Sequence, residues 1–157
     1  MKLTSNLTLA ECCRSQTAKR LGINNTPDDD NVIENLKAVA ENIFQPCREH
    51  FGGPLYVSSG YRSPELNTAI GGSKSSQHIS GMALDLDADV FGGCTNAEIF
   101  RYIKENLNFD QLIWEFGSDE NPDWVHVSFH RWGDNRKRAM RAVRHEDGGT
   151  EYQVILD

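Results

Sequence analysis

The chain has 157 residues, with 16 Lys and Arg against 23 Asp and Glu and a formal net charge of −7. This length suits one compact domain that buries roughly 68–70% of its unfolded surface and folds without staples. The acidic balance argues against a nucleic-acid binder, and no stretch approaches the ~20 apolar residues needed to cross a membrane.

Met1 to Asn6 lacks the apolar core of a secretory leader, so synthesis in the cytoplasm is expected. From Thr8 to Leu21, Leu9, Cys12, Cys13 and Ala18 recur at helix-like intervals, and Asn24-Asn25-Thr26-Pro27 breaks the run. Asp28, Asp29 and Asp30 offer N-capping oxygens to a second helix. Its apolar positions, Val32, Ile33, Leu36, Val39, Ala40, Ile43, Phe44 and Cys47, follow an i, i+3, i+4, i+7 pattern up to Phe51-Gly52-Gly53-Pro54.

Leu55 to Ser59 reads as a short strand. Ser63-Pro64 opens a short helix through Leu66 and Ala69, and Gly71 to Ser76 reads as a flexible loop. Met82 to Asp87 alternates as a strand, with Ala83, Asp85 and Asp87 sharing one face. Thr95 and Glu98 form a capping-box signature for a helix carrying Ile99, Phe100, Ile103 and Leu107. Gln111 to Trp114 and Trp124 to Phe129 are two further strands, and Tyr152 to Leu156 fits an edge strand. Several connections are too short for helical crossovers. The expected fold class is therefore α+β, a small, mostly antiparallel sheet with helices packed on it, as a single domain over residues 1–157 and a monomer.

Cys12, Cys13, Cys47 and Cys94 match neither a CxxC zinc pattern nor a secreted disulfide framework, so reduced, structural thiols are expected. The candidate chemistry lies elsewhere. His78 and Asp85 stand seven residues apart, and His126 follows in another strand. A carboxylate among apolar strand neighbours is rare unless it is paired or binds a metal. Two imidazoles and one carboxylate suffice for a catalytic zinc, which takes three protein ligands and leaves a position open for water. His130 is an alternative ligand. Asp85, Asp87 and Asp89 invite a calcium reading, but the glycine and glutamate of an EF-hand loop do not follow. Arg131, Arg136, Lys137, Arg138, Arg141 and Arg144 form a basic cluster that reads as a solvated helix face, or as a patch for anionic wall polymers or membranes.

The segments Ser58 to Asn67, with its Tyr61-Arg62-Ser63, Ser76-Gln77-His78-Ile79-Ser80-Gly81-Met82-Ala83-Leu84-Asp85, and Trp124-Val125-His126-Val127-Ser128 together resemble the zinc D-Ala-D-Ala carboxypeptidase family. That family includes bacterial DD-peptidases and phage endolysins that cut the peptide part of peptidoglycan. Leu9 to Pro27 also resembles the entry of the small phage-type members, so the resemblance runs from about residue 8 to 130. It implies a hedgehog/DD-peptidase-like fold, a Zn2+ cofactor held by His78, Asp85 and His126, and a peptidoglycan stem peptide as substrate. It also implies a general base, for which Asp123 and Glu115 compete, with Asp123 preferred because relatives carry an acidic residue three before the last histidine. Arg62 is implied to meet the substrate carboxylate or the oxyanion, and Ser76 and Gln77 to hydrogen-bond substrate. Trp124 stands where the carboxypeptidase branch often has a further histidine, which favours the lytic phage type. The rival expectation is a non-catalytic wall-binding or morphogenesis module with the same fold and a structural metal.

Overall fold

The computed structural model describes residues 1–155. A six-stranded sheet in the order β3-β4-β6-β5-β7-β8 organises the chain, with β3 Tyr56–Ser59, β4 Ala83–Asp87, β5 Gln111–Glu115, β6 Trp124–Ser128, β7 Arg138–Arg144 and β8 Thr150–Val154. All neighbours pair antiparallel except β5 and β7. A two-stranded hairpin, β1 Lys2–Thr4 and β2 Leu7–Thr8, precedes it, and the sequence reading did not anticipate it.

Alternation along the strands sorts the sheet into two faces. Leu84, Leu86, Leu112, Val125 and Val127 are fully buried in the core with Leu36, Val39, Ile43 and Phe44 from the long N-terminal helix and Ile99 and Ile103 from α6 Asn96–Asn106. Each such side chain contributes about 1.5–3 kcal/mol by leaving water. The other face carries Asp85, His126 and Glu115 and is left for the site. The expected α+β architecture is the one found.

Local structure departs from expectation where a single residue interrupts the pattern. The helix expected from Thr8 to Leu21 is two short ones, α1 Leu9–Cys13 and α2 Gln16–Leu21. Thr8 caps the first in a capping box with Glu11, and Ser15 breaks the run to cap the second. The second expected helix is α3 Asp30–Val39, a wide π turn over Ala40–Phe44, and α4 Gln45–Phe51. Pro46 has no N–H, and its ring crowds the carbonyl one turn back. The Gln45 N–H accordingly reaches Ala40 O, five residues back, and the helix continues without ending. α5 Pro64–Ala69 forms as expected with Ser63 as its cap.

The basic cluster is not a helix face. Arg138, Arg141 and Arg144 lie on strand β7, where Ala139, Met140 and Ala142 are buried. The edge strand expected over Tyr152 to Leu156 is found as Thr150–Val154, and the Leu156 end of that expectation lies outside the described residues. The four cysteines are free, and burial pushes the Cys12 and Cys47 thiols up to about 12, which suits inert packing residues.

Candidate metal centre

Asp85 and His126 are direct partners across the β4–β6 ladder, so both side chains rise from the same face. Asp85 Oδ1 lies 3.0 Å from His126 Nδ1 and 3.3 Å from His78 Nε2. His78 arrives from the loop between α5 and β4, which turns back through Gly81 at φ 76°, a left-handed conformation that favours glycine. One donor atom from each of the three residues lies within 4.8 Å of the others, and among the described residues no other such group of His, Cys, Asp or Glu occurs.

The orientation of His78 is fixed from behind. Its Nδ1 sits 2.6 Å from the Gly60 carbonyl, which can only accept, so Nδ1 carries the proton and Nε2 presents a lone pair to the cluster. Gly60 is glycine because a Cβ there would lie 2.4 Å from the Cys12 carbonyl of α1. Tyr61 N–H also donates to that Cys12 carbonyl, tying α1 to the loop that orients His78.

Burial pushes the Asp85 carboxyl up, but His78 and His126 more than offset this and hold it well below the usual carboxylate range. The side chains of His78, Asp85 and His126 are only 5%, 14% and 13% exposed. An ionised carboxylate between two imidazoles, each offering a ring nitrogen, is a donor set that fits zinc with a position left open. His130 stands apart from this cluster. Asp87 accepts from the Asp89 N–H and from Asn96 Nδ2, tying β4 to α6 rather than serving a calcium site.

The centre lies in a cavity of about 1010 Å³. Arg62, Ser76, Gln77 and Glu115 line it with the three candidate ligands; Asp123 does not. Strand parity separates the two carboxylates. Asp123 is an odd three residues from His126 and is exposed, while Glu115 shares the face of Ile113, the residue opposite His126. Glu115 is 8% exposed. Burial pushes its carboxyl up to about 7; His126 and Arg144 pull it down and Asp85 pushes it further up.

Arg62 is half-buried, and its Nη1 donates to Asn67 Oδ1 at 2.9 Å. Asn67 is itself buried and donates to the Ser73 carbonyl, so it holds both the arginine and the loop. Ser76 Oγ accepts from the His78 N–H at 3.2 Å. Gln77 Nε2 donates to Asp110 Oδ2 at 2.9 Å, and Gln77 Oε1 is buried with no partner.

Sequence reasoning missed Asn67 and Asp110. Asp110 is almost fully buried and receives Gln77 together with a two-pronged grip from Arg136, at 2.9 Å to each oxygen. The signal was a carboxylate in Phe109-Asp110-Gln111 at the entry of an apolar strand, where an unpaired charge would be costly. The contributions of Arg138, Met140 and Tyr152 to the cavity wall were also missed, because the strand that carries the first two was read as a helix.

A half-open sheet that presents two histidines and an aspartate in a cleft beside a buried glutamate and an arginine has the parts of a metal-assisted hydrolase. The Peptidase M15 family model matches residues 5–128, and the chain belongs to that family. A zinc D-Ala-D-Ala carboxypeptidase of Streptomyces albus G is 33% identical over 94 residues, which cover 59% of this chain and 34% of that protein. The chain thus aligns with about a third of that relative's length.

Proposed function

We propose that this protein is a zinc-dependent peptidase that hydrolyses amide bonds in peptidoglycan stem peptides, acting as a lytic enzyme of the phage endolysin type. The observation that carries the reading is the convergence of His78, Asp85, His126, Glu115 and Arg62 on one cavity, on elements inside the family match. The identity with a zinc D-Ala-D-Ala carboxypeptidase supports the metal and the substrate class. Trp124, in place of the extra histidine of the carboxypeptidase branch, supports the lytic type.

His78, Asp85 and His126 are the ligands in this reading. They would hold the zinc, which when bound would supply Lewis-acid polarisation of the scissile carbonyl and activation of the attacking water. Glu115 is assigned as the general base. It takes the proton of the attacking water and returns it to the leaving amine. Its burial on the face of the candidate ligands, which Asp123 lacks, supports Glu115 over Asp123. Arg62, steadied by Asn67, supplies a planar cation for the oxyanion or a substrate carboxylate. Gln77 lines the cavity with its amide nitrogen committed to Asp110, which ties the loop that carries His78 to the entry of β5 beside the substrate. Ser76 shapes the loop through its bond to the His78 backbone.

The test is mass spectrometry of purified peptidoglycan digested by the zinc-loaded protein beside a chelated sample. Loss of terminal D-Ala defines a carboxypeptidase, and stem peptides cut after L-Ala define an L-Ala-D-Glu endopeptidase. The absence of any chelator-sensitive product across several wall chemotypes overturns the proposal in favour of a binding module.

A further inference from the structure

Strands β7 and β8 lie beyond the stretch that matches the family model, yet they supply Arg138, Met140 and Tyr152 to the wall of the same cavity. Register gives their distance from the centre. His126 faces Ile113, and Ile113 faces Met140, so Met140 stands two strands from His126. At the usual strand spacing that is about 10 Å. Arg138 lies on the same face two residues along β7, opposite Gln111, about 7 Å further down the strand. A long guanidinium side chain there reaches the space occupied by a residue one or two positions from a bond cleaved at the centre.

The other arginines of this region are engaged. Arg136 is gripped by Asp110, Arg141 pairs with Asp119, Arg144 lies over the Phe116 ring, and Arg131 donates to Asn31 and Asn35. Arg138 is exposed at the cavity wall; its backbone N–H donates to the Asp110 carbonyl, but its guanidinium has no hydrogen bond or ion pair among the described residues. Across the cavity Arg62 follows β3, with the ligand-bearing strands β4 and β6 between the two arginines. On a protein of net charge −7, a cleft flanked on both sides by arginine concentrates anionic groups.

We propose that Arg138 is a specificity-determining residue that binds a carboxylate of the peptide substrate, one or two residues from the scissile amide and on the far side of the ligand cluster from Arg62. The proposal rests on the peptidase reading and adds to it a substrate class: stem peptides with an anionic group at that subsite. Two positions of such peptides offer the chemistry, the free α-carboxylate of an isoglutamyl residue and the second carboxylate of a diaminopimelyl residue.

The experiment uses four synthetic stem peptides, with isoglutamate or isoglutamine at the second position and diaminopimelate or lysine at the third. The zinc-loaded protein should favour the peptide that carries one of these carboxylates over the peptide that lacks it by about tenfold in kcat/KM, the size of one charge-assisted contact. The preference should be expressed in KM, because Arg138 lies away from the reacting atoms. In R138Q the ratio falls toward one, while R141Q, altered at a pair not used in this argument, keeps it. The pair of peptides that shows the effect identifies the carboxylate. An unchanged ratio in R138Q, or an equal loss on both members of each pair, overturns the proposal. Calorimetric binding of the same peptides to the zinc-loaded E115Q protein separates the two readings. If no peptide is cleaved but binding keeps an Arg138-dependent carboxylate preference, the peptidase reading fails and the subsite stands; binding with no such preference removes the subsite.

Discussion

Asp85 and His126 stand directly opposite each other on β4 and β6, with Oδ1 and Nδ1 3.0 Å apart. Opposed residues of an antiparallel pair hold their Cβ atoms about 4.5–5.5 Å apart. Two of the three candidate ligands are therefore placed by the sheet itself, and no loop has to close to bring them together. Only His78 depends on a loop, and that loop is tied down by Gly60, Ser76 and the Arg62 N–H, which donates to the His78 carbonyl.

This division predicts how the metal is lost. His126→Ala removes a donor from the rigid pair, and His78→Ala removes the one held by the loop. Both should lower zinc retained after dialysis from about one per chain to a small fraction of that. The rise in Tm that zinc gives the wild type should disappear with it, because only a folded site offers the donors together. Elemental analysis and thermal scans with and without zinc check this. Stoichiometric zinc in His78→Ala would sink the ligand assignment.

Glu115→Gln should keep zinc and the fold but lower turnover on peptidoglycan by about 10²–10⁴-fold, the usual worth of a general base. Asp123→Ala should lie within about threefold of wild type, since its carboxylate is exposed and outside the cavity. Steady-state rates with zinc content measured on the same samples separate the two. A collapse in Asp123→Ala with Glu115→Gln still active would reverse the assignment.

The contrast between these two carboxylates shows what the sequence could carry. Alternation put Asp85 and His126 on strand faces and made them candidates with His78, but it was the resemblance of the surrounding motifs that grouped the three as ligands. The choice of Glu115 was not, because its neighbourhood with His126 depends on the β5–β6 register, a pairing between segments separated by a loop. The capping box at Thr95 and Glu98 was legible for the same local reason. The parallel strand β7 was not, because six cations in fourteen positions hid the buried Ala139, Met140 and Ala142 between them. The π turn follows from one missing N–H at Pro46, which apolar periodicity does not register.

Gly60→Ala tests the support behind His78. The new methyl would meet the Cys12 carbonyl at 2.4 Å, a backbone contact that cannot rotate away. Relief requires α1 or the Gly60 carbonyl to move, and that carbonyl is the partner of His78 Nδ1. The variant should lose about 1–3 kcal/mol of stability as an overpacked site. It should also lose about 10–100-fold in zinc affinity, as when the partner of a ligand histidine is disturbed. Urea unfolding and competitive zinc titration read the two effects. Full zinc affinity in a destabilised Gly60→Ala protein would show that the carbonyl does not orient the ligand.

Asp110 predicts an acid dependence whose sign is fixed by its partners. Hydrogen bonding from Arg136 outweighs burial and, with Gln77, holds the carboxyl at about 2 instead of its ordinary 3.8. Above the ordinary value the carboxylate is ionised in both folded and unfolded chains, and its contribution to stability is complete. As pH falls from about 4 toward 2 the unfolded chain takes up the proton first, and the contribution drains away. Asp85, held low by its two histidines, acts with the same sign in the metal-free protein, so wild type alone does not isolate either group. The comparison that does is wild type against Asp110→Asn, both freed of metal, in urea unfolding from about pH 6 to about pH 2.5. Asp110→Asn should be less stable near neutrality, because Arg136 loses its charged partner, and the gap between the two proteins should narrow as pH falls. A gap that stays constant across that range would mean that Asp110 titrates alike in the folded and unfolded chains, and that its grip on Arg136 and Gln77 does not stabilise this side of the cavity.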